Sequence, residues 1–370
     1  MSVLTMVLAA GTVAGMTFQL AAGRLAARFA SRRPPPTGHR PPVTLLKPLC
    51  GAEPGLADDL ATFWRDDWPG LRMVCGVGDA DDPAVEAVRT LQARLPAADI
   101  RLVVGGPARA GNAKVANLMN MLPHAGAGIL VMADSDMRAG PGYLEAVVGA
   151  LAAPDAGLAT CLYVGRPEQG LPSRLGAMGI NHGFLPSVLV GRALGRSDGC
   201  FGATMALARD TLDQAGGLAA CAEVLADDYQ LGRAVRGTGR SIALAPTLVD
   251  TRVDESGWGD LAAHELRWSR TIASVAPLAA LASVVTQPAL AWAALPTVAW
   301  PLLPAALACR WWAVRAQERA LGLPTAPLWL IVLRDWLSLA LFTAALCGRS
   351  VTWRGRRYRI RRDGTLESLA

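Results

Sequence analysis

The stretch Gly128-Ile-Leu-Val-Met-Ala-Asp134-Ser135-Asp136 decides the fold of this chain. Its apolar half is typical of a buried β-strand, and two carboxylates follow one residue apart. In open α/β sheets, ligands bind beyond the carboxyl ends of the strands. Asp134 and Asp136 at such an end predict a site for a hard divalent ion, Mg²⁺ or Mn²⁺, which also takes phosphate oxygens. The alternative is a solvated turn, because Asp and Ser favour turns.

Three more apolar runs precede this stretch, and helix-length segments separate them. The runs are residues 43–47, 72–77 and 101–104, and the segments include residues 83–94 and 112–122. Alternation of strands and helices predicts a mostly parallel sheet covered by helices on both faces. We therefore expect an α/β domain over residues 43–270.

Further polar residues stand where these elements begin or end. Asp79 directly follows the second run, where it would meet a nucleotide. Lys114 falls in the first turn of the helix predicted over 112–122, where its ammonium would meet a phosphate or simply be solvated. Asp228 enters a later helix, and its carboxylate is a candidate general base. Stabilisation of the helix start is the alternative, because carboxylates favour that end.

The segment His264-Glu-Leu-Arg267-Trp268 precedes a long apolar run. Arg267 is suited to clamp a diphosphate, and Trp268 is suited to stack on a sugar. Anchoring at a membrane interface is the alternative, because Trp and Arg commonly flank membrane helices.

The N-terminal residues predict a membrane anchor. Residues 1–23 carry no charge and are long enough to span a bilayer. Because the first arginines follow this run, the positive-inside rule places the N-terminus outside and the basic, proline-rich linker 24–42 in the cytoplasm. An unusual signal peptide is the alternative.

Residues 271–348 predict further membrane helices. Residues 271–309 carry no charge, and a single helix of that length would overshoot the bilayer core. We expect a helical hairpin there, or one span with a kinked extension, because prolines interrupt the stretch at Pro296, Pro301 and Pro304.

A last apolar segment, residues 324–347, contains two adjacent charges, Arg334 and Asp335. These charges predict either a bundle-facing polar site or an interfacial helix. The arginine-rich tail, residues 349–370, argues for a cytoplasmic C-terminus. With the N-terminus outside, we expect an odd number of spans, three, with four as the alternative.

One uncharged segment, residues 175–191, lies inside the α/β region. A buried core segment is one interpretation, and a membrane-dipping loop beside a lipid substrate is the other. The segment is too short and too rich in Gly and Pro to predict a span.

The composition narrows the class of protein. Only 18% of the 370 residues are charged and 52% are hydrophobic, which excludes an intrinsically disordered chain and argues against a wholly soluble one. The net charge is +6, and arginines cluster near the predicted membrane segments, which indicates anionic lipid rather than nucleic acid. The seven cysteines form no Cys-x-x-Cys pair, which favours free thiols in a reducing compartment.

Taken together and in this order, these motifs resemble the ceramide glucosyltransferase family, within the inverting, processive-synthase-like glycosyltransferases of the GT-A fold. The stretch from Gly199-Cys-Phe-Gly-Ala-Thr-Met to Leu218 is a particularly close match. Leu45-Leu-Lys-Pro-Leu-Cys-Gly51 and Asn117-Leu-Met are similar to the family as well. The short, arginine-rich chain is more similar to a bacterial branch that glycosylates hopanoids than to the eukaryotic enzymes.

The resemblance implies how the donor is held. Asp79 would contact the uridine. Asp134 would contact the nucleotide or the metal, and Asp136 would bind the divalent cation, Mg²⁺ or Mn²⁺, on the diphosphate. Apart from the resemblance, the position of Lys114 at the same sheet edge would let its ammonium help to stabilise the departing diphosphate.

The resemblance also implies the catalytic base and the remaining contacts. Asp228 would be the base, while Arg267 and Trp268 would hold the diphosphate and the sugar or acceptor. The family motif has Gln or Arg three residues before the Arg-Trp pair, and this chain has His264 there. A histidine can still donate to phosphate, with a charge that depends on pH.

The implied activity is inverting transfer of one sugar from a UDP-sugar, with UDP-N-acetylglucosamine favoured, to the hydroxyl of a hopanoid such as bacteriohopanetetrol. The alternatives are a ceramide glucosyltransferase that uses UDP-glucose, a polysaccharide synthase, and an inactive membrane scaffold that binds nucleotide or lipid. The enzyme would be a multi-pass protein of the bacterial inner membrane, with its catalytic domain in the cytoplasm and no nucleic-acid partner.

Overall fold

The computed structural model describes residues 2–35, 38–51, 53–195, 199–294, 300–348, 350–353, 356–361 and 365–369. These residues form two compact units. The sheet unit comprises Arg32–Tyr163 and Asp198–Arg252, and the helical unit comprises Met1–Ser31, Val164–Ser197 and Val253–Ala370.

The helices and strands are numbered in chain order. The strands are β1 (Val43–Pro48), β2 (Leu71–Val77), β3 (Asp99–Val104), β4 (Ile129–Met132), β5 (Met137–Ala139), β6 (Ala156–Pro167), β7 (Met205–Ala208), β8 (Ser241–Val253), β9 (Ser350–Trp353), β10 (Arg356–Ile360) and β11 (Leu366–Leu369). The helices are α1 (Val3–Ala30), α2 (Leu56–Ala61), α3 (Ala84–Arg94), α4 (Ala113–Met121), α5 (Tyr143–Leu151), α6 (Gly170–Gly179), α7 (Leu185–Ala193), α8 (Arg209–Gln214), α9 (Asp227–Gly237), α10 (Trp258–Val275), α11 (Pro277–Ala282), α12 (Leu302–Leu321) and α13 (Leu328–Leu346).

Strands β1 to β8 form one mixed sheet in the order β3-β2-β1-β4-β7-β6-β8-β5. The first four strands in that order are mutually parallel. Strand β7 runs antiparallel to both β4 and β6, and β5 runs antiparallel to β8. The predicted α/β fold is confirmed, since the four apolar runs correspond to β1–β4. All six residues of β1 are buried, as expected for a strand covered on both faces.

Two hydrophobic clusters cover the sheet, one on each face. Adjacent residues of a strand point to opposite faces, so Leu45 belongs to one cluster and Leu46 to the other. Helices α2, α3 and α5 contribute to the Leu45 cluster, while α4 and α9 contribute to the Leu46 cluster. Burial on both faces leaves the carboxyl ends of β1, β2 and β4 as the place for polar chemistry.

The helical unit includes residues that the sequence assigned to a continuous domain over 43–270. Residues 164–197 and 253–270 belong to this unit instead. The reason is the uncharged segment 175–191, which forms parts of α6 and α7 and helps to fill a core made by helices. That core consists of Leu175, Met178, Leu261, Val314, Ala326, Leu330 and Ile331. The buried-core interpretation of the segment therefore holds, while its relation to a membrane stays a prediction.

Two helices of the described chain are long and apolar enough to cross a membrane, Thr5–Ala30 and Leu328–Leu346. The predicted anchor over residues 1–23 lies within α1, which continues to Ala30. The stretch 271–309 is divided into the end of α10, α11, two 3₁₀ segments and the start of α12. The span or hairpin expected there is not seen in the part that is described, and it stays a prediction. Residues 295–299, with Pro296, lie outside the described residues.

The charges within the last apolar helix face the bundle. Arg334 and Asp335 are both 4% exposed. Asp335 Oδ1 accepts a hydrogen bond from Arg310 Nη2 at 2.7 Å, and Arg334 Nη1 donates to Glu265 Oε1 at 2.5 Å. Of the two predicted interpretations, the bundle-facing one is correct.

The chain ends in a small antiparallel sheet of β9, β10 and β11. This sheet occupies the arginine-rich tail predicted over 349–370. Arg349, Arg354 and Arg362 of that tail lie outside the described residues, as does Pro36 of the linker.

Candidate active site

The acidic segment follows β4, where the sequence predicted it, and it is the centre of the candidate site. Asp134 is half-buried, and its N–H donates to the carbonyl of Gly202 at 3.3 Å. Asp136 accepts a hydrogen bond from Thr251 Oγ1 on β8 at 2.5 Å. Burial and the neighbouring charge of Asp134 raise the pKa of Asp136, which the Thr251 bond opposes. Ser135, between them, donates to Glu53 Oε1 at 2.6 Å.

Lys47 lies beside these carboxylates, and sequence analysis missed it. It is fully buried on β1, with its ammonium 4.4 Å from the Phe63 ring centroid, and it donates to the carbonyl oxygen of Asp134. Burial lowers the pKa of Lys47 to about 8, and the charges of Asp136 and Asp134 limit that fall. The available signal was a lysine inside an otherwise apolar strand, since unpaired lysines are almost never buried.

Lys114 connects two carboxylates that are far apart in sequence. Asn112 caps α4 by accepting from the N–H groups of Lys114 and Val115, which fixes Lys114 in the first turn as predicted. Its ammonium lies 2.7 Å from Asp134 Oδ1 and 2.9 Å from Asp227 Oδ2. Burial alone would lower the pKa of Lys114, but the charges of the two carboxylates outweigh it and raise that pKa. Asp227 was not predicted as a site residue.

Asp228, the predicted base, lies in the first turn of α9. Its Oδ2 accepts from the N–H of Gly202 at 2.9 Å, and its Oδ1 accepts from the N–H of Tyr229 at 2.7 Å. Burial and the charge of Asp227 raise the pKa of Asp228 to about 6, although Lys114 opposes the shift. A carboxylate that ionises close to neutrality suits proton abstraction.

Gly202 brings the two parts of the site together. It bonds Asp134 through its carbonyl and Asp228 through its N–H. A Cβ at this position would lie 2.8 Å from Asp134 Oδ2 and 3.3 Å from Lys114 Nζ. Any larger residue would therefore crowd the carboxylate of Asp134 and the ammonium of Lys114.

Asp79 lies at the same edge of the sheet. It follows β2. Strands β2 and β4 both run parallel to β1 and pair with its two sides, so their carboxyl ends lie at one edge. Asp79 is exposed, and its Oδ1 accepts from the N–H of Asp81 at 3.1 Å. Nearby, Asp82 accepts from the N–H groups of Ala84 and Gly51, so that residue has a capping role. An exposed carboxylate at this edge is accessible to a nucleotide.

His264, Arg267 and Trp268 lie on α10 in the helical unit and form a cluster of their own. His264 Nδ1 and Glu255 Oε1 are 2.5 Å apart, and the His264 and Trp268 rings meet edge to face with centroids 4.7 Å apart. Burial alone would raise the pKa of Glu255, but the hydrogen bond with His264 outweighs burial and lowers that pKa. His264 is therefore held by a carboxylate, and its role toward a phosphate stays a prediction.

Arg267 faces a cavity of about 140 Å³. The cavity lies between α10 and β9, and its lining residues are Ala263, Leu266, Arg267, Arg270, Ser350, Val351 and Thr352. Arg270 Nη1 also donates to the carbonyl of Ser350 at 2.5 Å, so the C-terminal strand forms one wall.

The donor set after β4 fits a divalent cation that is shared with a substrate. Among the residues the structure describes, no group of three or more His, Cys, Asp or Glu side chains could hold a metal alone. Asp134 and Asp136 supply two carboxylates, and Mg²⁺ is usually bound by one or two carboxylates together with substrate phosphates. The residues therefore fit a cation that arrives with a diphosphate.

Comparison with solved structures agrees with this architecture. The chain is similar to a mannosyltransferase, PcManGT from Pyrobaculum calidifontis, solved in complex with GDP-Man and Mn²⁺. The TM-score is 0.53 at 22% sequence identity, over 92% of this chain and 98% of that one. The likeness shows the GT-A-like glycosyltransferase fold.

Comparison with curated sequences finds two ceramide glucosyltransferases. The chain is 25% identical over 209 residues to ceramide glucosyltransferase 3 of Caenorhabditis elegans and 26% identical over 213 residues to ceramide glucosyltransferase 1 of the same organism. Each match covers about 55% of this chain and 45% of the relative. The family described as glycosyl transferase family 21 matches residues 3–366, nearly the whole chain. The chain therefore belongs to glycosyl transferase family 21, and over about half of its length it is similar to the ceramide glucosyltransferases.

Proposed function

We propose that the protein is a membrane-bound inverting glycosyltransferase that moves one sugar from a UDP-sugar to a lipid hydroxyl. The observation that carries this proposal is the bridge at Gly202. It holds Asp228, with a pKa of about 6, next to the Asp134–Lys114 ion pair at the carboxyl edge of the sheet. A single displacement requires a base for the acceptor hydroxyl and, across the donor sugar from it, a site for the departing diphosphate, and candidates for both lie at this edge.

In this mechanism Asp228 removes the proton from the acceptor hydroxyl as its oxygen attacks the anomeric carbon from the face opposite UDP. One bond forms as the bond to the diphosphate breaks, so the configuration inverts and no covalent intermediate forms. Lys114 donates hydrogen bonds to the departing diphosphate. A divalent cation held by Asp134 and Asp136 would neutralise the same leaving group.

The other donor contacts are carried over from the family resemblance. We assign Asp79 to the uridine, and Arg267 and Trp268 to the diphosphate and the sugar or acceptor. Their surroundings support this assignment: Asp79 is exposed at the carboxyl edge, and Arg267 lines a cavity. Glu255 holds His264 by a hydrogen bond, and His264 orients Trp268 by ring contact.

A membrane location is supported by two helices of spanning length and apolar composition, α1 and α13. We propose a multi-pass protein of the bacterial inner membrane whose catalytic domain faces the cytoplasm. Arg24 and the arginines that follow it favour that orientation by the positive-inside rule. The seven cysteines are all free, which agrees with a reducing compartment.

For the substrates we favour UDP-N-acetylglucosamine and a hopanoid such as bacteriohopanetetrol, because the short, arginine-rich chain is similar to the hopanoid-modifying branch. Transfer of glucose from UDP-glucose to ceramide is the second candidate, and the similarity to ceramide glucosyltransferases favours it.

A transfer assay read by mass spectrometry separates these candidates. Purified protein with Mg²⁺ or Mn²⁺ receives each UDP-sugar in turn with bacteriohopanetetrol or ceramide. Gain of N-acetylhexosamine on the hopanoid is the expected result, and gain of hexose on ceramide would select the second candidate. No product from any pair, in protein shown to bind UDP, would contradict both and favour the inactive scaffold.

A further inference from the structure

We propose that Lys114 occupies, in the donor-free enzyme, the place on Asp134 that a divalent cation must take. The cation therefore binds well only together with the diphosphate, which receives the displaced ammonium. This inference rests on the proposed function, because it assumes a donor with a diphosphate. It makes Lys114 a positioning residue that couples metal binding to donor binding.

The first support is the contact itself. Lys114 Nζ lies 2.7 Å from Asp134 Oδ1, and its side chain is only 13% exposed, whereas that of Asp134 is 35% exposed. The other oxygen of Asp134 faces Gly202, where a Cβ would lie 2.8 Å away. The ammonium thus holds one carboxylate oxygen, while the other lies where a side chain at position 202 would begin. A divalent cation on Asp134 would meet a like charge within contact distance, which is unfavourable.

The second support is the balance of charge. Four carboxylates lie around Lys114 or beside its partners, and Lys47 is a second buried cation there. The carboxylates are Asp134, Asp136, Asp227 and Asp228. A divalent cation added alone must displace a lysine. A cation added with a diphosphate brings the negative charge that a displaced lysine needs.

Lys114, rather than Lys47, is the residue that moves. Lys47 is enclosed on β1, bonded to a backbone carbonyl and packed over Phe63. Lys114 stands at the start of a helix, reaches the site through a flexible stem, and has a second partner in Asp227 at 2.9 Å. Asp227 can still pair with the ammonium after Asp134 releases it. Because Asp227 precedes the proposed base, the exchange occurs next to Asp228.

The test measures Mn²⁺ binding to the full chain in detergent, from the loss of the free Mn²⁺ signal in electron paramagnetic resonance, with and without UDP. The wild-type protein should bind Mn²⁺ at least about tenfold more tightly when UDP is present, a coupling of roughly 1.4 kcal/mol. The Lys114→Met variant should bind Mn²⁺ alone about tenfold more tightly than the wild type. UDP should then change the Mn²⁺ affinity of this variant only slightly.

Two further variants act as controls. Lys114→Arg keeps the positive charge, so its Mn²⁺ affinity without UDP should stay as weak as that of the wild type. Arg109→Gln removes one positive charge from an exposed residue of the preceding loop and should leave both affinities unchanged. Thermal unfolding of each variant verifies that it is folded.

Two results would overturn the inference. One is an unchanged or weaker Mn²⁺ affinity in folded Lys114→Met, and the other is a wild-type affinity that UDP does not alter. A protein that binds no UDP at all would refute the proposed function instead. The Mn²⁺ affinities without nucleotide would still decide whether Lys114 competes.

Discussion

Replacing Asp228 with asparagine removes the proposed base while preserving the size of the side chain. The asparagine oxygen can still accept one of the two backbone N–H groups, from Tyr229 or Gly202, that Asp228 accepts at 2.7 and 2.9 Å. General-base catalysis contributes about 10²- to 10⁴-fold. We therefore expect kcat to fall by about that factor, or about 2.7 to 5.4 kcal/mol at 1.36 kcal/mol per tenfold.

The pH dependence provides a second readout of the same residue. The pKa of Asp228 is raised to about 6, and only its ionised form can accept a proton. The wild-type rate should rise with pH through about 6 and level off above about 7, with roughly a tenth of the plateau rate at pH 5. The Asp228→Asn variant should lack this limb. Initial rates from pH 5 to 8 measure it.

A matched control changes a carboxylate outside the site. Asp213 on α8 is exposed and lies 3.5 Å from Arg209, so Asp213→Asn should leave the rate unchanged. Calorimetry should show that Asp228→Asn still binds the UDP-sugar. Near-wild-type transfer by Asp228→Asn, or an unchanged pH limb in that variant, would refute the assignment of the base.

Three further substitutions test the packing of the site and of the helical unit. Gly202→Ala places a Cβ 2.8 Å from Asp134 Oδ2, so kcat in the transfer assay should fall at least about tenfold, and wild-type activity would contradict the bridge. Lys47→Met removes an ammonium whose pKa is lowered because burial outweighs the attraction of Asp136 and Asp134, so the free energy of unfolding at neutral pH should hold or rise in denaturant titrations, and a clear loss of stability would contradict that balance. In Arg310→Met the free energy of unfolding should fall by about 3–5 kcal/mol, because Asp335 loses its partner. Adding Asp335→Leu should restore most of that stability. A double variant less stable than Arg310→Met would contradict this account.

The sheet was predictable from sequence because its parallel half is buried on both faces. Strands β1 to β4 form nearly continuous apolar runs, and Asp79 and Asp134 each follow one of them after a single residue. Burial on both faces also limits where polar residues can lie, so carboxylates at strand ends identified the site edge. The antiparallel strands β5 to β8 give a weaker signal, because their partners are set by long-range pairing.

The parts of the site that sequence analysis missed depend on contacts between distant residues. Lys114 and Asp227 are 113 positions apart, and no local pattern predicts their ion pair. Asp227 reads as an ordinary helix-start carboxylate beside Asp228. Lys47 lies in a strand whose other residues are mostly apolar, so the sequence pattern predicts a buried strand and not a functional lysine. Tertiary packing, rather than propensity, decides each of these positions.

Packing also decides which segments belong to the sheet unit and which to the helical unit, and no sequence pattern predicts this division. The uncharged segment 175–191 follows a strand of the sheet, yet Leu175 is buried against the helical core. In the stretch 271–309, prolines and short apolar runs allow several helical arrangements. Apolar composition alone therefore identified membrane-like segments, while their expected number of three, or four, stays a prediction.

The anomeric configuration of the product tests the central claim most directly. Nuclear magnetic resonance of the glycolipid made from an α-linked UDP-sugar reports whether the new bond is α or β. A single displacement with Asp228 as base predicts a β-linked product from the wild-type protein and almost none from Asp228→Asn. An α-linked product would contradict the account, since it requires retention of configuration and a different set of catalytic residues.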